Sequence, residues 1–115
     1  MNVKDITTEG PITLEKPSEL SKINYHNLKK AANVLRALNH KLRQQILNLI
    51  EAEKKITVTQ IYVRLHLEQS VASQHLAIMR NAGIVSATRE GKFIYYTVNH
   101  HRINEVNNFV HGLVG

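Results

Sequence analysis

The sequence predicts a mainly α-helical domain with a small β-hairpin, in the order α-α-α-α-β-β-α. Three observations predict it. Up to Gly83, apolar residues recur at the i, i+3, i+4, i+7 spacing of amphipathic helices. After Gly83 the period changes to β-branched and aromatic runs on either side of Glu90-Gly91, the pattern of a hairpin. Helical spacing then returns from His100 to Val114.

Each element follows from its residues. Residues 1–22 hold both prolines, Pro11 and Pro17, with few large apolar groups and no period, and read as a flexible N-terminal arm. The folded domain is expected over 23–115. Leu28, Ala31, Ala32, Leu35 and Leu38 form the stripe of a first helix, Ile23 to Leu38. Asn39 is expected to cap a second helix, which carries Leu42, Ile46, Leu47, Leu49 and Ile50 and ends near Glu53. Lys54-Lys55 reads as a solvated connector. Thr57 or Thr59 can cap a third helix with Val58, Ile61, Tyr62 and Leu65, and a break follows at His66-Leu67-Glu68. The fourth helix, Gln69 to Ala82, closes on Gly83, where a left-handed residue is wanted. The strands are Ile84–Arg89 and Lys92–Val98, and the last helix carries Ile103, Val106, Phe109, Val110 and Leu113 at helical spacing.

Composition narrows the function. At 115 residues the chain is one domain's worth, and a second copy would add buried surface that so short a chain lacks. The absence of cysteine excludes disulfides, thiolate ligands and nucleophilic thiols, and suits a reducing, cytoplasmic setting. No stretch approaches the roughly 20 apolar residues of a membrane span, and the N-terminus does not read as a signal peptide. No membrane partner is expected. The net charge is +6, unevenly spread: three lysines against four carboxylates leave residues 1–23 slightly acidic, so the domain itself is strongly basic. A basic domain of this size attracts polyanions, double-stranded DNA above all.

Two short helices joined by a tight break form a helix-turn-helix pattern. The second helix gives it meaning. Ala72, Leu76 and Met79 make its inward face, while Gln69, Ser70, Ser73, Gln74 and Ala77 face outward without a carboxylate, and Arg80 stands in its last turn. Glutamine can pair bidentately with adenine, and serine can donate or accept at a base edge. A merely solvated helix is richer in Glu and Lys. The hairpin tip Arg89-Glu90-Gly91-Lys92 places two cations beside a glycine, which suits a loop laid along DNA phosphates.

These residues resemble the ArsR-type winged helix-turn-helix repressors. Leu67 to Val85, LEQSVASQHLAIMRNAGIV, is similar to that family's helix-turn-helix, and Ser86 to Val98, SATREGKFIYYTV, to its wing. Leu35 to Ile50 resembles the end of the family's first helix and its second, with Arg43 at the usual arginine. The resemblance implies a homodimer through the first and last helices, with recognition helices roughly 34–36 Å apart on an inverted repeat. It implies that Gln69, Ser70, Val71, Ser73, Gln74 and His75 approach bases or phosphates, and that Arg89, Lys92, Lys41 and Arg43 approach the backbone. There are departures. His40-Lys41 replaces the family's Asp-Pro, and His66 and Glu68 stand where Gly and Ser are common, which predicts a strained turn and a weak cap.

The family's cysteine-based arsenic, cadmium or lead sensor is excluded, since Thr57-Val58-Thr59 occupies that stretch. In its zinc or nickel sensor the last helix supplies four ligands. The matching positions here are Asn99, His101, Gly112 and Gly115. His100, His101 and His111 share that helix, but residues 100 and 111 lie about three turns apart, so one helix cannot chelate through both. No metal and no cofactor is expected. Catalysis lacks a strained nucleophile turn, a phosphate loop and paired carboxylates, so the chain is not read as an enzyme. The expected function is that of a dimeric repressor occluding a promoter. The alternatives are a winged-helix module that binds only protein, or a zinc- or nickel-responsive repressor using the last-helix histidines.

Overall fold

The computed structural model describes residues 18–115. Most of the expected arm, residues 1–17, lies outside the described residues. Of its remainder, Leu20–Lys22 makes a single 3-10 turn that buries nothing. Helix α1 runs Tyr25–Leu38, with the Asn24 side chain accepting from the Asn27 N–H. Helix α2 runs Lys41–Glu53. Its cap is His40, whose ring nitrogen accepts from the Arg43 N–H, and not Asn39. Asn39 instead donates its own N–H to Leu35 O and so closes α1. Lys54, at φ 69°, ends α2 in left-handed backbone.

Strand β1 (Ile56–Thr57) follows, an element the sequence pattern did not show. It turns directly into helix α3 (Val58–Arg64), whose start is fixed by a reciprocal capping box between Thr57 and Gln60. Helix α4 (Gln69–Asn81) ends on Ala82, with Gly83 at φ +74° as the sequence requires. Strands β2 (Val85–Glu90) and β3 (Phe93–Val98) pair in register from Val85↔Val98 to Glu90↔Phe93, so the turn is Gly91-Lys92. Helix α5 (His100–Val114) is capped by Asn99, which accepts from the Arg102 N–H.

The sheet order is β1-β3-β2, antiparallel, with Ile56 opposite Tyr96 and Thr57 opposite Tyr95. The hairpin is therefore the outer part of a three-stranded sheet hooked onto the start of α3. The core lies between α2, α3, α4 and the sheet: Ile46, Ile50, Ile56, Ile61, Ala72, Leu76, Met79 and Ile84 are fully or almost fully buried. Apolar burial of this kind holds α4 against α2 and α3. Ala37, near the end of α1, joins the core, and α5 contributes no buried residue. No helix among the described residues is long and apolar enough to cross a membrane.

Candidate nucleic-acid interface

The turn before α4 decides how that helix is presented. His66 sits at φ 55°, a left-handed conformation that costs a side chain with a Cβ, and Leu67 closes the turn by donating its N–H to Tyr62 O. Glu68 occupies the cap position in extended backbone, yet its carboxylate makes no capping hydrogen bond. Both departures in the turn thus have the physical consequences their chemistry predicts. The first N–H groups of α4 keep their donors and their partial positive charge for an anion outside the helix.

With Ala72, Leu76 and Met79 fully buried, the helix must turn Gln69, Ser70, Ser73, Gln74, Ala77 and Arg80 to solvent, and all are exposed. The expected reading face is one continuous surface without a carboxylate. Val71 and His75 are half-buried on its flank. The His75 ring packs 4.9 Å from that of His40. Its Nδ1 lies 3.2 Å from Arg43 Nη1, and because a guanidinium only donates, Nδ1 accepts and the ring proton sits on Nε2. Burial, then the neighbouring His40 and Arg43, hold His75 below the usual histidine range.

Arg43 is the correction within the phosphate set. It is 8% exposed. Its Nε donates to Ala37 O at 2.7 Å and its Nη2 to Arg36 O at 3.1 Å, stapling the end of α1 to α2 and, through His75, to α4. A signal for this existed: Arg43 lies three and seven residues before the buried Ile46 and Ile50, on the inward stripe of α2. Lys41, two residues earlier, is exposed.

The wing is braced from its base. Lys55 Nζ donates to both carboxylate oxygens of Glu90, at 2.9 and 3.0 Å, and lies 4.7 Å from the Tyr95 ring centre. That contact raises the Lys55 pKa, mainly through the Glu90 hydrogen bond. Lys55 is therefore more than a solvated connector, since it neutralises the one carboxylate of the wing tip. Its partner is 35 residues away, which no local pattern reveals. Arg89 folds back to donate from Nε to Gly91 O, and Lys92 lies 5.4 Å from the Phe93 ring centre. Both cations stay exposed at the tip.

The histidines of α5 do not converge. His100 contacts Glu51 on α2, and this hydrogen bond is the main reason the Glu51 carboxyl lies below its usual range. His101 lies 3.9 Å from Glu105, and His111 is exposed near the far end. Among the described residues no group of three or more His, Asp or Glu side chains is placed to hold a metal ion.

Comparison with known proteins agrees with this architecture. The profile described as "Bacterial regulatory protein, arsR family" matches residues 40–87, which span α2, the helix-turn-helix and the first residues of the wing. The chain is 36% identical over 85 residues to the transcriptional repressor PagR of Bacillus anthracis, covering 74% of this chain and 85% of PagR. It is 32% identical over 87 residues to the transcriptional activator HlyU of Vibrio cholerae, covering 76% of this chain and 80% of HlyU. The PagR crystal structure superposes with a TM-score of 0.60 at 34% identity, covering 78% of this chain and 99% of PagR. An ArsR-like regulator from Rhodococcus sp. RHA1 superposes at 0.69 with 19% identity, covering 76% and 82%, which speaks to the fold alone. The fold is a winged helix-turn-helix, and the chain belongs to the arsR family of bacterial regulatory proteins.

Proposed function

We propose that this DNA-binding transcriptional regulator acts as a homodimeric repressor, occluding a promoter by laying two copies of α4 into successive major grooves of an inverted repeat. The observation that carries the reading is the carboxylate-free outer face of α4. Gln69, Ser70, Ser73 and Gln74 reach bases. Val71 and the Nε2–H of His75 serve its flank. The open N-terminal N–H groups of α4 take a phosphate, as do Arg80, Lys41, Arg89 and Lys92. Arg43 is left out of the contact set because it is buried at the α1–α2 junction, with three of its N–H groups bonded to Ala37 O, Arg36 O and His75 Nδ1.

The dimer rests on a separate observation. Tyr25, Leu28, Phe109, Val110, Leu113 and Val114 are large, apolar and exposed, and all lie on α1 or α5. A second copy covers such a stripe with the same stripe, as two-fold symmetry requires. The relatives at 36% and 32% identity carry a repressor's and an activator's name. Repression is favoured here because occlusion asks nothing of the protein beyond binding.

Gel-shift titration against genomic fragments tests the proposal. Binding is expected to be sequence-selective, and Gln74→Ala should relax discrimination at particular base pairs by about 1–3 kcal/mol. Arg89→Ala should instead weaken binding to every sequence and lower the salt slope by about one unit. Weak binding that ignores sequence and is unchanged by Gln74→Ala would refute it.

A further inference from the structure

Between α1, the end of α4 and the start of α5 lies a groove of about 850 Å³ to which the DNA reading assigns no role. Lys30, Arg36, Arg43 and Arg102 line it, and no Asp or Glu does. Arg36 Nη1 donates to Asn33 Oδ1 at 2.7 Å, and like charges gathered along one groove without a lining carboxylate disfavour one another. The deepest of them is Arg43. A guanidinium has five N–H donors. Three atoms of this one meet Ala37 O, Arg36 O and His75 Nδ1, so two N–H bonds are left over on a side chain 8% exposed. Among the described residues Arg43 has no ion-pair partner, although burial of an unpaired charge is costly.

The remaining walls complement the charge. Ala31, Val34 and Ile78 give an apolar surface, and the Ile78 side chain, 42% exposed, is left without full cover. Arg102 extends over the Gly83 backbone, where a Cβ would meet its Nε at 3.0 Å, and its charge is only partly engaged by Glu105 at 3.5 Å. Asn27, Asn33 and Asn81 complete the polar lining, so a small apolar patch adjoins several polar and cationic groups that can fix a ligand's orientation.

We propose that this groove binds a small organic anion, its phosphate or carboxylate head held by the spare N–H groups of Arg43 together with Lys30, Arg36 and Arg102, and its apolar body against Val34 and Ile78. A DNA phosphate is the weaker candidate. The groove meets α4 at Ile78, Asn81 and Ala82, in its last turn, beginning about 6 Å along the axis past Gln74, the nearest of the base-reading residues. Phosphate backbone also has no use for an isoleucine.

The test uses the full-length chain free of DNA, titrated calorimetrically with phenyl phosphate and with benzoate, against potassium chloride at matched ionic strength. Saturable binding of at least one probe is expected, weakened at least about tenfold in a Lys30→Met, Arg36→Gln double variant. Both side chains are exposed, so the variant should keep its helical circular dichroism. Arg43→Lys, which retains the charge and loses the fork, should bind the same probe more weakly. No saturation by either probe, or undiminished binding in the double variant, would overturn the proposal. The salt slope of operator binding by the double variant should match the parent. A slope lowered by one unit or more would make the groove a DNA-backbone contact and overturn the small-ligand reading. The calorimetric arms need no DNA, so they stand even if the operator reading fails.

Discussion

The middle of this chain and its two end helices solve different problems. From α2 to β3 a set of apolar residues faces inward and is fully covered, with Ile46, Ile50, Ile61, Leu76 and Met79 all at 0% exposure, while Val63, Ile78, Phe93 and Ile94 stay on the surface. Helix α5 has the same amphipathic spacing, yet none of its residues is buried, and Leu113 and Val114 are 72% and 81% exposed. A similar sequence period therefore produces a finished core in one place and an uncovered face in the other. Periodicity reports that a helix has an apolar side, and says nothing of whether its own chain supplies the cover.

The sharpest way to break that comparison is one substitution on each side of it. Leu76→Ala should cost about 3 kcal/mol in urea denaturation, because a packed interior relaxes only partly around the cavity. An effect under about 1 kcal/mol would mean that the middle is not the rigid half. Phe109→Glu should leave helix content intact and weaken self-association at least tenfold by sedimentation, with operator affinity falling alongside. A variant as dimeric as the parent would remove α5 from the proposed interface.

Two smaller effects probe how the middle presents α4. His66→Gly should raise stability by about 1 kcal/mol, since relief of left-handed strain exceeds the extra chain entropy of glycine. Unchanged or lowered stability would show that the turn is not strained. The smallest effect concerns His75. Its pKa is lowered on folding, so below the ordinary value of 6.5 the unfolded chain holds more protons than the folded one. Stability should then be complete above that pH and decline as the pH falls beneath it, until the folded ring also protonates. Thermal melts from pH 7.5 to 5 should show this slope, and His75→Gln should flatten it.

Much of the middle was legible because its determinants are local. Gly83 announces the end of α4, a threonine at 57 or 59 the start of α3, and the helix-turn-helix follows from two stripes and a break. The features that escaped depend on partners distant in sequence. Strand β1 is two residues long, too short to show alternation, and exists because Tyr95 and Tyr96 offer it an edge. The clamp of Lys55 on Glu90 spans the whole helix-turn-helix. Arg43 reads as one more surface cation until Ala37 O and Arg36 O claim its donors, and then it becomes the pin between three helices. The outward groups of α4 were readable for the opposite reason: their chemistry is defined by what the fold leaves unused.

The uncovered face of α5 has a consequence in mass action. Where an apolar face is completed only by another copy, folding free energy acquires a term in protein concentration, and the melting midpoint rises as the chain becomes more abundant. For a regulator that closes its own promoter or another's, occupancy would then grow more steeply than in proportion to copy number, because abundance sets both how many dimers exist and how well each holds together. The length of apolar stripe left bare on the last helix would be a setting of that threshold.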